Sequence, residues 1–324
     1  MKISAFTFLL IFIFITAGAQ SAKPSDPNIE KKTFVYKTVG KTKIHADLYR
    51  PTGDTKLKPV IIWIHGGALM NGSRNGLSED HKKFYLDAGY AIVSIDYRLA
   101  PETKLPAIIE DLKDAFAWVH TNGATLLKVD NKKVFVVGHS AGGYLALMSG
   151  YVAKNPPQGI VSFYGYGDII GDWYSKPDSF YLTRDHVLEE TTKKLISDTA
   201  ITSSPLKDRG QVYLYSRQTG KWPLMVGGHD PFKEAQWFHQ YCPLKNVGPK
   251  YPPVLLIHGT MDSDVPFEQS VLMDHELTAK KIKHNFIQMK GYEHGFERAQ
   301  GAWATPEVQK VFTDIAAFLK ENQK

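Results

Sequence analysis

Five runs constrain the fold more than any other feature of this chain. Pro59 to Ile64, Tyr90 to Asp96, Lys133 to Val137, Gly159 to Phe163 and Pro253 to Ile257 are short, apolar and β-branched, with no regular polar alternation. A strand with one wet face alternates apolar and polar residues, whereas a strand buried on both faces does not. Helical patterns lie between several of them. Ile108, Ile109, Leu112, Phe116 and Val119 recur at helical spacing within Pro106 to His120, and Ala141 to Tyr151 is rich in Ala and Leu. Doubly buried strands separated by helices predict a mostly parallel, doubly wound α/β sheet. Thr33 to Val39 and Lys43 to Leu48 read as an edge hairpin around Gly40. The segment Phe267 to Lys281, a strand-like Asn285 to Met289 and an amphipathic helix from Pro306 to Lys320 complete the pattern. With 324 residues, 43% of them apolar, one large core with an insertion is expected.

The insertion falls at about 165–250, an interval far longer than one crossover needs. Trp173, Tyr174, Phe180, Tyr181, Tyr213, Tyr215, Trp222, Trp237, Phe238 and Tyr241 are interleaved there with Gly and Pro, a content that argues against disorder. This reads as a cap. Its aromatics either line a substrate pocket or form a satellite core beneath the insertion.

The first residues, "MKISAFTFLLIFIFITAGAQ", carry Lys2, an apolar run from Ala5 to Ile15, and the small residues Ala17, Gly18 and Ala19. That order predicts a signal peptide over 1–19, a polar linker over 20–32, and a single large domain over 33–324 that is secreted or periplasmic. The run is shorter than the roughly 20 residues of a spanning helix, so no stable membrane insertion is expected once the signal is removed. The net charge of +6 comes from lysines scattered along the chain. Scattered lysines describe a solvated surface and call for no nucleic-acid partner. Cys242 is the only cysteine, which excludes an intramolecular disulfide and a cysteine-based zinc site.

The chemistry is concentrated in "VFVVGHSAGGYLALM", Val134 to Met148. Gly138-His139-Ser140-Ala141-Gly142 follows a buried strand and opens a helix, a turn that projects a serine hydroxyl above the strand end. The Ala141 N–H then starts the helix, where it can face a developing oxyanion. A hydroxyl needs a base, and the base needs an orienting acid. Asp262 follows the strand in "PPVLLIHGTMDSDVP", with Asp264 as a rival two residues on, and His294 follows the strand in "FIQMKGYEHGF". Both therefore fall at the carboxyl edge of the sheet, where open α/β folds bind ligands. In "VIIWIHGGALM", Gly66 and Gly67 can present backbone N–H groups to a reacting carbonyl without crowding it. Arg98 and Glu102 read as a structural ion pair or loop brace. His65, His139 and His258 sit beside strand ends, where imidazoles commonly hydrogen-bond a loop.

Together, His65-Gly66-Gly67, the run "DYRLAPE" from Asp96 to Glu102, Gly138 to Gly143, His258-Gly259-x-x-Asp262-x-x-Val265-Pro266 and His294-Gly295-Phe296 resemble the α/β-hydrolase esterases. Within them the chain is most similar to the hormone-sensitive-lipase-like esterases and the bacterial feruloyl and acetyl-xylan esterase group. The resemblance covers Tyr36 to the C-terminus, weakly through the cap. It implies an α/β-hydrolase fold with Ser140 as nucleophile, His294 as general base, Asp262 as orienting acid, and Gly66, Gly67 and Ala141 as oxyanion donors. Ala68 stands where the lipase-like group often has a third glycine, which leaves the donor pair open.

The reading is a serine carboxylesterase that works through an acyl-enzyme, with no metal or organic cofactor. Its expected substrates are short acyl or aromatic esters, either small molecules or groups attached to polysaccharides. A peptidase of the same fold and a non-catalytic binding protein on this scaffold are the alternatives, and the oligomeric state stays open.

Overall fold

The computed structural model describes residues 28–323, so the expected signal peptide lies outside the described residues. Eight strands form one sheet: β1 (Ile29–Val39), β2 (Thr42–Pro51), β3 (Lys58–Ile64), β4 (Ala91–Ile95), β5 (Val129–His139), β6 (Ile160–Phe163), β7 (Val254–Gly259) and β8 (His284–Met289). Their order is β1-β2-β4-β3-β5-β6-β7-β8. β1 and β2 form an antiparallel hairpin, β2 runs antiparallel to β4, and the remaining neighbours are parallel. The first strand starts at Ile29, so the C-terminal end of the expected linker is already part of the sheet.

The two-faced burial behind the non-alternating runs is explicit in the packing. Val60, Ile62 and Ile64 of β3 and Val134 and Val136 of β5 enter one core. Ile61, Trp63, Phe135 and Val137 enter the other. Successive residues point to opposite faces, and both faces are dry. Each such side chain contributes on the order of 1.5–3 kcal/mol through burial. The helices Leu105–Asn122, Ala141–Val152 and Glu268–Ala279 cover the first face. Glu79–Asp87 and Pro306–Glu321 cover the second.

Sequence periodicity does not reveal the helix Glu79–Asp87. Only His81, Tyr85 and Leu86 of its nine residues are buried, so its apolar stripe is too thin to read. Tertiary packing and the Ser78 cap, whose side chain accepts the His81 N–H, hold it instead.

The chain passes from β3 to β4 on one side of β3 and then to β5 on the other. The loops after β3 and β5 therefore diverge at the point where strand order reverses, and a crevice opens there. Between β6 and β7, seven α-helices and one 3-10 turn fill the expected cap interval, the longest being Leu206–Thr219. None of the described helices is long and apolar enough to cross a membrane.

Candidate active site

Ser140 sits between β5 and the helix Ala141–Val152 with φ 56° and ψ −120°. A side chain in the positive-φ region is strained, and surrounding contacts must hold it there. They do so from both sides. The Ser140 N–H donates to the Phe163 carbonyl at 2.9 Å, and the Ser140 carbonyl accepts the Tyr144 N–H at 2.9 Å. Gly142 makes the turn possible, because a Cβ there would stand 2.1 Å from the Ile64 carbonyl oxygen. Only a glycine lets the helix start press against the end of β3.

His294 and Asp262 meet as the sequence order requires. His294 Nδ1 lies 2.7 Å from Asp262 Oδ2. The carboxylate only accepts, so Nδ1 carries the proton and the Nε2 lone pair is free for a proton from elsewhere. The Asp262 side chain is fully buried and amply supplied with donors. Its Oδ1 accepts the N–H groups of Asp264 at 2.9 Å and Val265 at 2.8 Å. Its Oδ2 also lies 3.1 Å from His258 Nε2, while His258 Nδ1 lies 2.7 Å from Ser270 Oγ. Burial alone would raise the Asp262 carboxyl, but these hydrogen bonds and the two imidazoles outweigh it and hold the group well below the usual carboxylate range.

The alternative acid, Asp264, occupies a different place. Its Oδ2 is 3.6 Å from His294 Nε2, an ion-pair separation and not a hydrogen bond. Its Oδ1 accepts from Tyr181 Oη at 2.7 Å and from Arg217 Nη1 at 2.9 Å. Tyr213 Oη donates to the same oxygen. Asp264 thus ties the cap to the loop that carries Asp262 and places a second negative charge beside His294. Burial works against the His294 imidazolium, yet the charge of Asp264 and the hydrogen bond and charge of Asp262 prevail and raise its pKa.

The loop after β3 closes on the serine. A Cβ on Gly66 would stand 2.7 Å from the His139 carbonyl oxygen and 3.2 Å from Ser140 Cβ, so this backbone lies directly against Ser140. The Gly66 carbonyl is engaged by His65 Nδ1 at 2.7 Å, and the His65 ring stacks on Tyr97 at 4.3 Å. Ala68 has φ 54°, a left-handed conformation that glycine adopts at less cost. That explains physically why a glycine suits this position. The cap holds the strained loop: Trp222 Nε1 donates to the Ala68 carbonyl at 3.0 Å.

Gly66, Gly67, Ser140, Asp264 and His294 line one cavity of about 1380 Å³. Ala141 and Asp262 do not line it; Ala141 is buried and the Asp262 side chain is shielded from solvent. The Ser140 hydroxyl makes no hydrogen bond among the described residues, and such contacts are commonly loose before substrate binds. Both readings of the cap aromatics find support. Phe180, Tyr181 and Tyr213 line the cavity, whereas Tyr174, Trp222 and Phe238 belong to the main core.

Arg98 and Glu102 are braces, but not of each other. Arg98 pairs with Asp111 through Nε and Nη2, both at 2.8 Å, and Glu102 pairs with Arg209 of the cap at 2.8 Å. Of the two readings, the loop brace holds, each residue bracing the run through a partner outside it.

Comparison with known proteins agrees with this architecture. The BD-FAE family model matches residues 46–277. A non-reducing polyketide synthase of Penicillium brasilianum is 27% identical over 345 residues, covering 91% of this chain and 14% of that one. The chain therefore spans about a seventh of the length of the curated relatives it matches. Among solved structures, an α/β-hydrolase superfamily protein from Enterococcus faecalis is 24% identical with TM-score 0.70, covering 90% of this chain and 99% of that one. A thermophilic and thermostable carboxylesterase cloned from a metagenomic library is 23% identical with TM-score 0.65, covering 91% of this chain and 90% of the other.

Proposed function

The chain belongs to the BD-FAE family of esterase-type α/β-hydrolases, and from that premise we propose a serine esterase in which Ser140 is acylated. The observation that carries this reading is the 2.7 Å contact between His294 Nδ1 and Asp262, which leaves Nε2 unprotonated on the cavity that Ser140 also lines. His294 takes the Ser140 proton as the oxygen attacks the ester carbonyl, and Asp262 stabilises the imidazolium that forms. The oxyanion is met by backbone N–H groups, Ala141 at the helix start and Gly66 or Gly67 from the facing loop. The imidazolium then protonates the departing alcohol, and water cleaves the acyl-enzyme by the same steps in reverse.

The cavity is larger than a short acyl chain requires and presents Phe180, Tyr181 and Tyr213 beside Arg184 and Arg298. This favours an aromatic acyl group on a bulky alcohol, such as a polysaccharide side group. The pattern from Lys2 to Ala19 supports export, which would bring the enzyme to such substrates.

The test is a panel of short-acyl, long-acyl and feruloyl esters and acetylated xylan, given to the wild type and to Ser140→Ala. The wild type is expected to cleave aromatic esters best, with turnover in the variant lower by about a thousandfold or more. Equal hydrolysis by Ser140→Ala overturns the assignment.

A further inference from the structure

Beneath the active-site turn lies a second cluster that the ester chemistry does not use. His81 of the helix Glu79–Asp87, His139 at the end of β5 and Glu297 in the loop after His294 are all buried, each offering a ligand atom within 4.8 Å of the others. Glu297 is fully buried, yet His139, 3.6 Å away through Nε2, is the only ion-pair partner it has among the described residues. Four atoms of the cluster find no hydrogen-bond partner among the described residues: His81 Nε2, His139 Nδ1 and Nε2, and Glu297 Oε2. Native interiors leave only a few such atoms unsatisfied, and three donor groups that each keep an unpartnered atom and lie within 4.8 Å of one another point to a missing occupant.

We propose that His81, His139 and Glu297 form a binding site for a divalent transition-metal ion, with zinc the best fit. Two imidazoles and one carboxylate are the donor set such ions prefer. Tetrahedral ligation separates donor atoms by about 3.4 Å, so the cluster closes on a metal with side-chain adjustments of about 1 Å. The outer contacts of the ligands are also in place. Ser78 Oγ lies 2.6 Å from His81 Nδ1, leaving Nε2 for the metal, and Tyr164 Oη donates to Glu297 Oε1 at 2.5 Å. Burial keeps both imidazoles neutral, the ligating form; that of His81 is pushed down to about 3. His139 is also among the residues that border the active-site cavity. The exposed Arg298 guanidinium is the fixed cation nearest in effect, and solvent screens it.

The ion would tie three segments together: the helix Glu79–Asp87, the strand that leads into Ser140 and the loop that carries His294. It would serve as a clamp and would not contact substrate. The proposal does not rest on the esterase reading.

The test strips the full-length chain with a chelator, then adds zinc alone and follows bound metal by mass spectrometry together with the thermal midpoint. One zinc per chain and a rise of about 5 °C are expected. Ser140→Ala should bind equally, which separates the site from the catalytic assignment, and His284→Ala should too, which excludes the Asp274–His284 pair on the surface. His81→Gln should lose the ion and the rise. No stoichiometric zinc in the wild type, or undiminished binding by His81→Gln, overturns the proposal. Should His81→Gln fail to fold, X-ray absorption of the zinc-loaded wild type decides: two imidazole nitrogens at about 2.0 Å support the site, and their absence overturns it.

Discussion

The two nitrogens of His294 face two different carboxylates, and this governs how it behaves as the proposed base. Asp262 orients the ring through Nδ1, while Asp264 stands 3.6 Å from the nitrogen that must receive the proton. In the proposed mechanism the neutral imidazole is the active form, so a raised pKa moves the acid limb of kcat/KM to higher pH. Asp264→Asn removes the charge that does most to favour the imidazolium, and its acid limb should shift to lower pH. A limb that stays in place or moves upward would refute the role given to Asp264. At this scale Ser140, Asp262 and His294 were legible, because each follows a readable strand in a fixed chain order. The left-handed backbone of Ala68 was not, since nothing in the residue type announces it and only the packing around the loop enforces it.

The cap is held to the sheet by charged pairs taken out of water. Arg209 and Glu102 are 4% and 1% exposed, and Arg209 also donates to the Ala100 carbonyl at 2.9 Å. Arg217, fully buried, joins Asp178 and Asp264. Removing one member of such a pair strands the other without solvent. Arg209→Met should therefore cost about 3–5 kcal/mol in urea unfolding, and Glu102→Gln in the same chain should restore part of the loss. A cost below about 1 kcal/mol would show that the pair is not a brace. The cap's existence was legible from the length and aromatic content of 165–250. Its anchors were not, because Glu102 and Arg209 lie far apart in the chain and pair only once the cap has folded back.

For the whole molecule, the same ionisations link the active site to stability. The folded-state pKa of His294 is raised, so the stability it contributes is complete below its unfolded value of about 6.5 and is lost as pH rises through the folded value. The urea midpoint of the wild type should therefore fall more between pH 5.5 and pH 9 than that of His294→Gln, and equal falls would sink the linkage. Asp262, with a lowered pKa, works in the opposite window: its contribution is complete above about pH 4 and is lost as pH falls toward the folded value. By itself the sequence determined the doubly wound sheet, the strand-to-helix turn at Ser140 and the order of acid and base. Those are recorded locally, in hydrophobic periodicity and in glycines at fixed offsets. Tertiary structure alone decided which carboxylate meets which nitrogen of His294, which cap aromatics face the cavity, and that His81, His139 and Glu297 converge. Each of these depends on side chains from distant segments meeting in space, and no local period along the chain encodes such a meeting.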